Sequence, residues 1–151
     1  MKLREVPEKL GLEFLVAAAP EAEVEDGYVS DLLSDVLAHA QPKQLWITYQ
    51  RHLNVVAVVK LRELSGVVFA REIRPGPEAI RKAREEGLNL LVSSADAFET
   101  AGRLHRLLFS MRWFRADLHI HSTLSLWVLG HVPPADRGGG KKSRAFSHCY
   151  L

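Results

Sequence analysis

Residues 44–70, QLWITYQRHLNVVAVVKLRELSGVVFA, decide the fold. QLWIT is a short apolar run with no polar alternation, as in a strand covered on both faces. In NVVAVVKLREL the residues are β-branched, but Val55, Val58, Val59 and Leu61 recur at helical spacing, so the stretch predicts a buried helix capped by Asn54. SGVVFA is the next apolar strand. A strand, a helix and a second unalternating strand within 27 residues form one unit of a parallel sheet.

The same alternation extends in both directions. EFLVA predicts an earlier strand, and EVEDG a charged turn through Asp26-Gly27. Tyr28 and Val29 suit a short strand. Ser30 or Asp31 then caps a helix with Leu32, Leu33, Val36 and Leu37 on its apolar face. Downstream, PGPEAIRKAREEGL has Gly76 before the helix, Pro77 in the first turn, Glu78 near the positive end and Gly87 as the stop. NLLVS is a strand. SADAFETAGRLHRLL predicts a helix capped by Ser93 or Ser94 that buries Phe98, Ala101, Leu104 and Leu108. The expected class is α/β: three α/β/α layers around a mainly parallel sheet.

Composition narrows the function. Apolar residues make up 47% of the 151 and charged residues 25%, ordinary values for a globular chain. No apolar run approaches the ~20 residues of a membrane span, and the N-terminus has no signal-peptide pattern. The lone Cys149 fits a reducing cytoplasm. Up to Met111 the chain has 14 basic and 16 acidic residues, and from Arg112 onward 6 basic and 2 acidic. The basic balance therefore lies in the tail, and neither a nucleic-acid nor a membrane partner is expected of the body.

Two groups of polar residues are candidate ligand sites. In SDLLSD, Ser30 and Ser34, and Asp31 and Asp35, stand at i, i+4, which places each pair on one helix face. They form either a polar rim for a ligand or dimer partner, or a cap and a solvated face. In TYQRHLN, Thr48, Gln50, His52 and Asn54 lie between a strand end and a helix start, where α/β sheets bind anions. His52 adds charge below about pH 6.5. The plain alternative is that Asn54 only caps the helix. His39 and His105 read as helix-surface residues. No carboxylate pair, Ser/His/Asp set or Cys nucleophile stands out, and no cofactor is implied.

The body resembles the DRTGG domain, which is related to the N-terminal domain of HPr kinase/phosphorylase. The matching stretches are GYVSDLLSDVLAHA, LWIT, HLNVVAVVKLRELSGVVFA, PEAIRKAREEG and AFETAGRL. AEVEDGYVSD stands where the family has Asp-Arg-Thr-Gly-Gly, and of that motif only Gly27 aligns. The resemblance implies a non-catalytic regulatory or oligomerising module over residues 1–110, a homo-oligomer that senses a nucleotide or other anionic small molecule. The kinase family's G-x-x-x-x-G-K-[ST] loop is absent from the sequence, so no kinase activity is implied.

RADLHIHSTLS resembles the first strand of PHP-family metal phosphoesterases. Alternation on a strand would set His119 and His121 on one face with Asp117, toward a metal. Residues 111–125 thus read as a fragment of such a domain, and a divalent-metal phosphoesterase fragment is the alternative function. Two His alone leave an ion mostly in water. Residues 126–151 read as out of frame. The second and third bases of each codon, joined to the first base of the next, permit Pro-Cys-Gly-Ser-Trp-Asp-Met-Ser-Pro, a PHP-like continuation. The rival reading is an in-frame basic tail. Either way residues 126–151 are expected to be disordered.

Overall fold

The computed structural model describes residues 1–116. A 3-10 turn, Leu3–Glu5, leads into the short helix α1, Val6–Leu10. The remaining elements alternate: β1 Leu12–Ala17, β2 Asp26–Val29, α2 Leu33–His39, β3 Gln44–Thr48, α3 Asn54–Leu61, β4 Gly66–Phe69, α4 Pro77–Glu86, β5 Asn89–Ser93 and α5 Ala97–Ala116. Residues Met1–Arg115 form one compact unit.

The five strands lie in the order β1-β5-β4-β3-β2. β2, β3, β4 and β5 are parallel, and β1 joins antiparallel to β5. Each parallel strand lies next to its predecessor, always on the same side. Right-handed crossovers then send α2, α3 and α4 to one face of the sheet. On that face Trp46, Val67, Phe69, Leu90 and Val92 pack with Val36, Val55, Val59, Ala79 and Ala83. The opposite face belongs to the chain ends. There Leu45, Ile47, Val68 and Leu91 meet Leu3, Val6 and Leu10, together with Ala97 and Leu104 of α5. Successive strand residues alternate between the two cores, so both parities are apolar and the strands show no alternation.

Several local expectations are corrected. Asp26 and Gly27 are not a turn but the first half of β2, paired with Gln44 and Leu45 of β3. Glycine at 27 lets Leu104 pack close to β2: a Cβ there would stand 2.9 Å from Leu104 Cδ2, so that side chain would have to shift. Leu61, expected on the buried face of α3, is 71% exposed, since the core side is filled by Val55, Val56, Val58 and Val59. Of the predicted α2 face only Val36 is fully buried. Phe98 is 90% exposed, because α5 turns Ala97, Thr100 and Leu104 to the sheet instead. The cap of α5 is neither Ser93 nor Ser94: Asp96 Oδ1 accepts the Glu99 N–H at 2.8 Å. The helix also runs on past Leu108 to Ala116. Around α4 the expected signals are all in place, with Gly76 as N-cap, Pro77 first and Gly87 at φ 71° ending the helix.

β1 and β2 sit at opposite edges, so their connection passes beneath the amino ends of β5, β4 and β3. Asn89, 2% exposed, holds it. The Asn89 amide donates to Ala19 O at 2.8 Å and Ser65 O at 2.9 Å, and its carbonyl accepts the Ala19 N–H at 2.9 Å. Gly66 makes room for this residue: a Cβ at 66 would stand 2.9 Å from Asn89 O. Removing three buried hydrogen bonds at roughly 1 kcal/mol each should cost about 2–4 kcal/mol. Asn89→Ala is therefore expected to lower the unfolding free energy by that amount, read as a lower urea midpoint with the slope unchanged. A loss near zero would show that the crossover is held by something else.

Candidate functional site

At the carboxyl end of β3 the chain stabilises its own loop. Thr48, only 1% exposed, accepts the Gln50 N–H on its hydroxyl at 3.0 Å. The Gln50 side-chain carbonyl accepts the His52 N–H at 3.2 Å, and His52 Nδ1 accepts the Asn54 N–H at 3.1 Å. Three side chains thus each satisfy the backbone two residues on, as in Asx- and ST-type turns. With Nδ1 as acceptor, the His52 ring offers Nε2–H as a donor.

Two further contacts fix this loop in the fold. Asp31 Oδ1 accepts the Thr48 hydroxyl at 2.8 Å and the Tyr49 N–H at 2.7 Å, which ties the end of β2 to the end of β3. The Tyr49 hydroxyl accepts the Ala97 N–H at 2.8 Å, which ties β3 to the start of α5. The Arg71 guanidinium lies 5.1 Å from the centre of the Tyr49 ring, a cation–π distance. Arg71 and Glu72 both hold left-handed φ, 57° and 54°. Their N–H groups reach Ala95 O and Ser93 O, so hydrogen bonds to the β5 loop offset the strain.

Gln50, Arg51, His52 and Leu53 form one wall of an open groove of about 720 Å³, and Gly76, Pro77, Glu78 and Ala79 at the start of α4 form the other. Of the four residues expected around this loop, Gln50 and His52 line the groove. Thr48 is buried beneath it, bonded to Asp31, and Asn54 is the first residue of α3. Asn54 is not a cap, and its side chain makes no capping bond. Nor are the first N–H groups of α3 left without partners: Asn54 donates to His52 Nδ1, Val55 to His52 O and Val56 to Leu53 O. The groove's charge comes from Arg51 and Glu78, and neither was singled out by spacing. Only the adjacency of β3 and β4 in the sheet brings the two walls together.

Ser30, Asp31, Ser34 and Asp35 do not share one helix face. Ser30 and Asp31 precede α2, which starts at Leu33, and the group divides. Ser30 Oγ accepts the Leu32 N–H at 3.2 Å, Asp31 turns to β3, and Ser34 is exposed. Asp35 accepts the Tyr28 hydroxyl at 2.8 Å and pairs with His39 at 3.0 Å. His119 and His121 lie outside the described residues. Among the described residues no cluster of His, Cys, Asp and Glu could hold a metal ion, and no helix is long and apolar enough to cross a membrane.

The Ser30 hydroxyl, then the Tyr28 hydroxyl, then His39 hold the Asp35 carboxyl below the ordinary aspartate range, and the shared proton pushes Tyr28 up. A carboxyl depressed by folding contributes stability that is full above its unfolded pKa of ~3.9 and lost as pH falls through the folded value. Tyr28→Phe should therefore be less stable than wild type at neutral pH, with the gap narrowing on acidification below the ordinary aspartate range. Urea titrations at neutral and acid pH check this, and a gap independent of pH would contradict it.

No protein-family model matches the chain, and no curated protein does. Among solved structures it is similar to the CBS and DRTGG domains of the regulatory region of Clostridium perfringens pyrophosphatase, complexed with its activator diadenosine tetraphosphate. The TM-score is 0.52 at 15% identity, over 68% of this chain and 45% of that one. The chain thus spans less than half the length of that structure. The likeness is one of architecture, a five-stranded mixed sheet with helices on both sides, and in that sense the fold is DRTGG-like.

Proposed function

We propose that residues 1–110 are a non-catalytic, DRTGG-type regulatory or oligomerising module that senses an anionic, nucleotide-like ligand. The observation that carries this reading is the groove between Gln50–Leu53 and Gly76–Ala79. Its size suits a small ligand. Arg51 provides a fixed positive charge and His52 Nε2–H a hydrogen-bond donor. Leu53, Pro77 and Ala79 provide apolar surface for a base or sugar. In the structurally similar pyrophosphatase region the activator is itself a nucleotide, which agrees with this choice of ligand. The anion is held by side chains, because the N–H groups at the start of α3 are already used.

Residues 111–125 would then be a PHP-like fragment and 126–151 an out-of-frame tail in a cytoplasmic protein. Manganese-dependent phosphate ester hydrolysis that is lost on His119→Ala would overturn the non-catalytic reading and favour the phosphoesterase fragment.

The ligand is tested by calorimetry and thermal shift with ATP, AMP, diadenosine polyphosphates and inorganic phosphate. A ligand that binds the native state alone raises the melting temperature by mass action. Arg51→Ala should weaken nucleotide binding about tenfold or more, equivalent to ~1.4 kcal/mol. Glu78→Gln should strengthen it by removing a carboxylate from the groove. Nucleotide binding that both variants leave unchanged would place the site elsewhere, and no binding of any of these anions would leave an assembly module without a small ligand.

A further inference from the structure

The sheet ends differently at its two edges. β1 is half covered by the N-terminal helix and by Arg74, whose guanidinium meets Glu13 at 2.9 Å. β2 is the other edge, and no strand among the described residues pairs with its outer side. Large apolar side chains lie exposed around that open edge. Val29, on β2 itself, is 52% exposed, and Leu32, just before α2, is 63% exposed.

Beside β2, on the opposite face from α2, runs α5. Phe98, Gly102, His105 and Phe109 recur at helical spacing along it and form one stripe. The stripe borders β2: a cavity of about 140 Å³ between the two is lined by Gly27, Val29, Ala101 and His105. Phe98 is 90% and Phe109 51% exposed, and the His105 ring stacks on Phe109 with centroids 5.6 Å apart. At Gly102 a Cβ would meet nothing within 4 Å, so the centre of the stripe is open to close approach.

We propose that this combined surface, the outer edge of β2 with the Phe98–Phe109 stripe of α5, is the contact between two copies of the chain related by a two-fold axis. The proposal rests on the oligomerising part of the proposed function and names its surface. A two-fold axis at a strand edge pairs β2 antiparallel with its counterpart and joins two five-stranded sheets into one. The same axis brings the two α5 helices together antiparallel, so Phe98 of one meets the Phe109 end of the other, and Gly102 lies opposite the partner's His105 region.

Charge and area both fit a second copy. Asp26 is the one charged residue on β2 at neutral pH, and antiparallel pairing sets it against the partner's Val29 end and away from the partner's Asp26. The exposed parts of Phe98, Phe109, Val29 and Leu32 amount to roughly 400–500 Å² per copy, more than half of the ~800 Å² that each partner contributes to a stable interface. The strand edge supplies backbone hydrogen bonds for the rest. An exposed edge with apolar flanks is otherwise a liability that proteins blunt with charge or Pro, and β2 carries neither at Gly27, Tyr28 or Val29.

The test is the solution mass of the full chain by light scattering across a wide concentration range. Wild type should be a dimer. Phe98→Glu on the helix and Val29→Lys on the strand should each raise the dissociation constant at least tenfold, with circular dichroism and a cooperative thermal transition retained. Leu61→Glu, on the exposed side of α3, should stay dimeric. A wild-type dimer that neither variant weakens would overturn this surface and leave the oligomeric reading standing. A wild-type monomer would overturn both, and would give the patch to another occupant such as residues 117–151 or a separate extended peptide.

Discussion

The fold depends on one connection that is anchored at every strand it passes. β1 and β2 stand four strand spacings apart, roughly 19 Å at ~4.8 Å each, and residues 18–25 must cover that distance. Eight residues reach at most about 26–29 Å when extended, which leaves room for the turn closed by the Ala22 N–H on Ala19 O. The chain is anchored as it passes each strand: Ala19 to Asn89 at β5, Glu23 O to the Ser65 hydroxyl at β4, and the Glu25 N–H to Lys43 O at β3. Asn89 is the centre of this arrangement, because its buried amide also reaches Ser65 O and so joins β4, β5 and the crossover at one point. A buried amide is tolerated there because its polar atoms are all bonded.

Routing the crossover beneath the amino ends leaves the carboxyl ends free. The loops after β2, β3, β4 and β5 all emerge there, and their mutual contacts are polar and specific. Asp31 joins the first two, Tyr49 joins the second to α5, and Arg71 and Glu72 join the third to the fourth. One end of the sheet is thus devoted to holding the fold and the other to presenting side chains. The β3–α3 loop is bonded by its own side chains, since Thr48, Gln50 and His52 satisfy it locally.

The sheet and its layers were legible in the sequence because unalternating apolar strands and the capped α4 helix are local signals. What escaped was set by tertiary partners. Asp26-Gly27 has the composition of a turn, but the approach of Leu104 makes glycine a strand residue there. Asn54 has the right type for a cap, yet it already lies inside α3, and the Val56 N–H that a cap there would have served goes to Leu53 O. Phe98 follows the apolar period of α5 loosely, and its exposure shows which side of the helix the sheet takes. Of the candidate site, the β3–α3 loop could be named from sequence. Arg51 and the α4 wall could not, because their relevance depends on which strands are neighbours. Asp31 looked like a cap and is a strand-to-strand tie.

Strand order also limits what kind of ligand site the fold can have. In doubly wound sheets, helices diverge to opposite faces where the order reverses, and a crevice opens between them. Here β2, β3, β4 and β5 follow one another without reversal, the helices that join them stay on one face, and α5, after β5, lies on the other. The groove lies between a loop and a neighbouring helix start on the face that carries α3 and α4. Glu78 stabilises the start of α4 through the helix dipole, and the same carboxylate opposes an anion in the groove. Glu78 and Arg51, on facing walls, thus give the groove one charge of each sign.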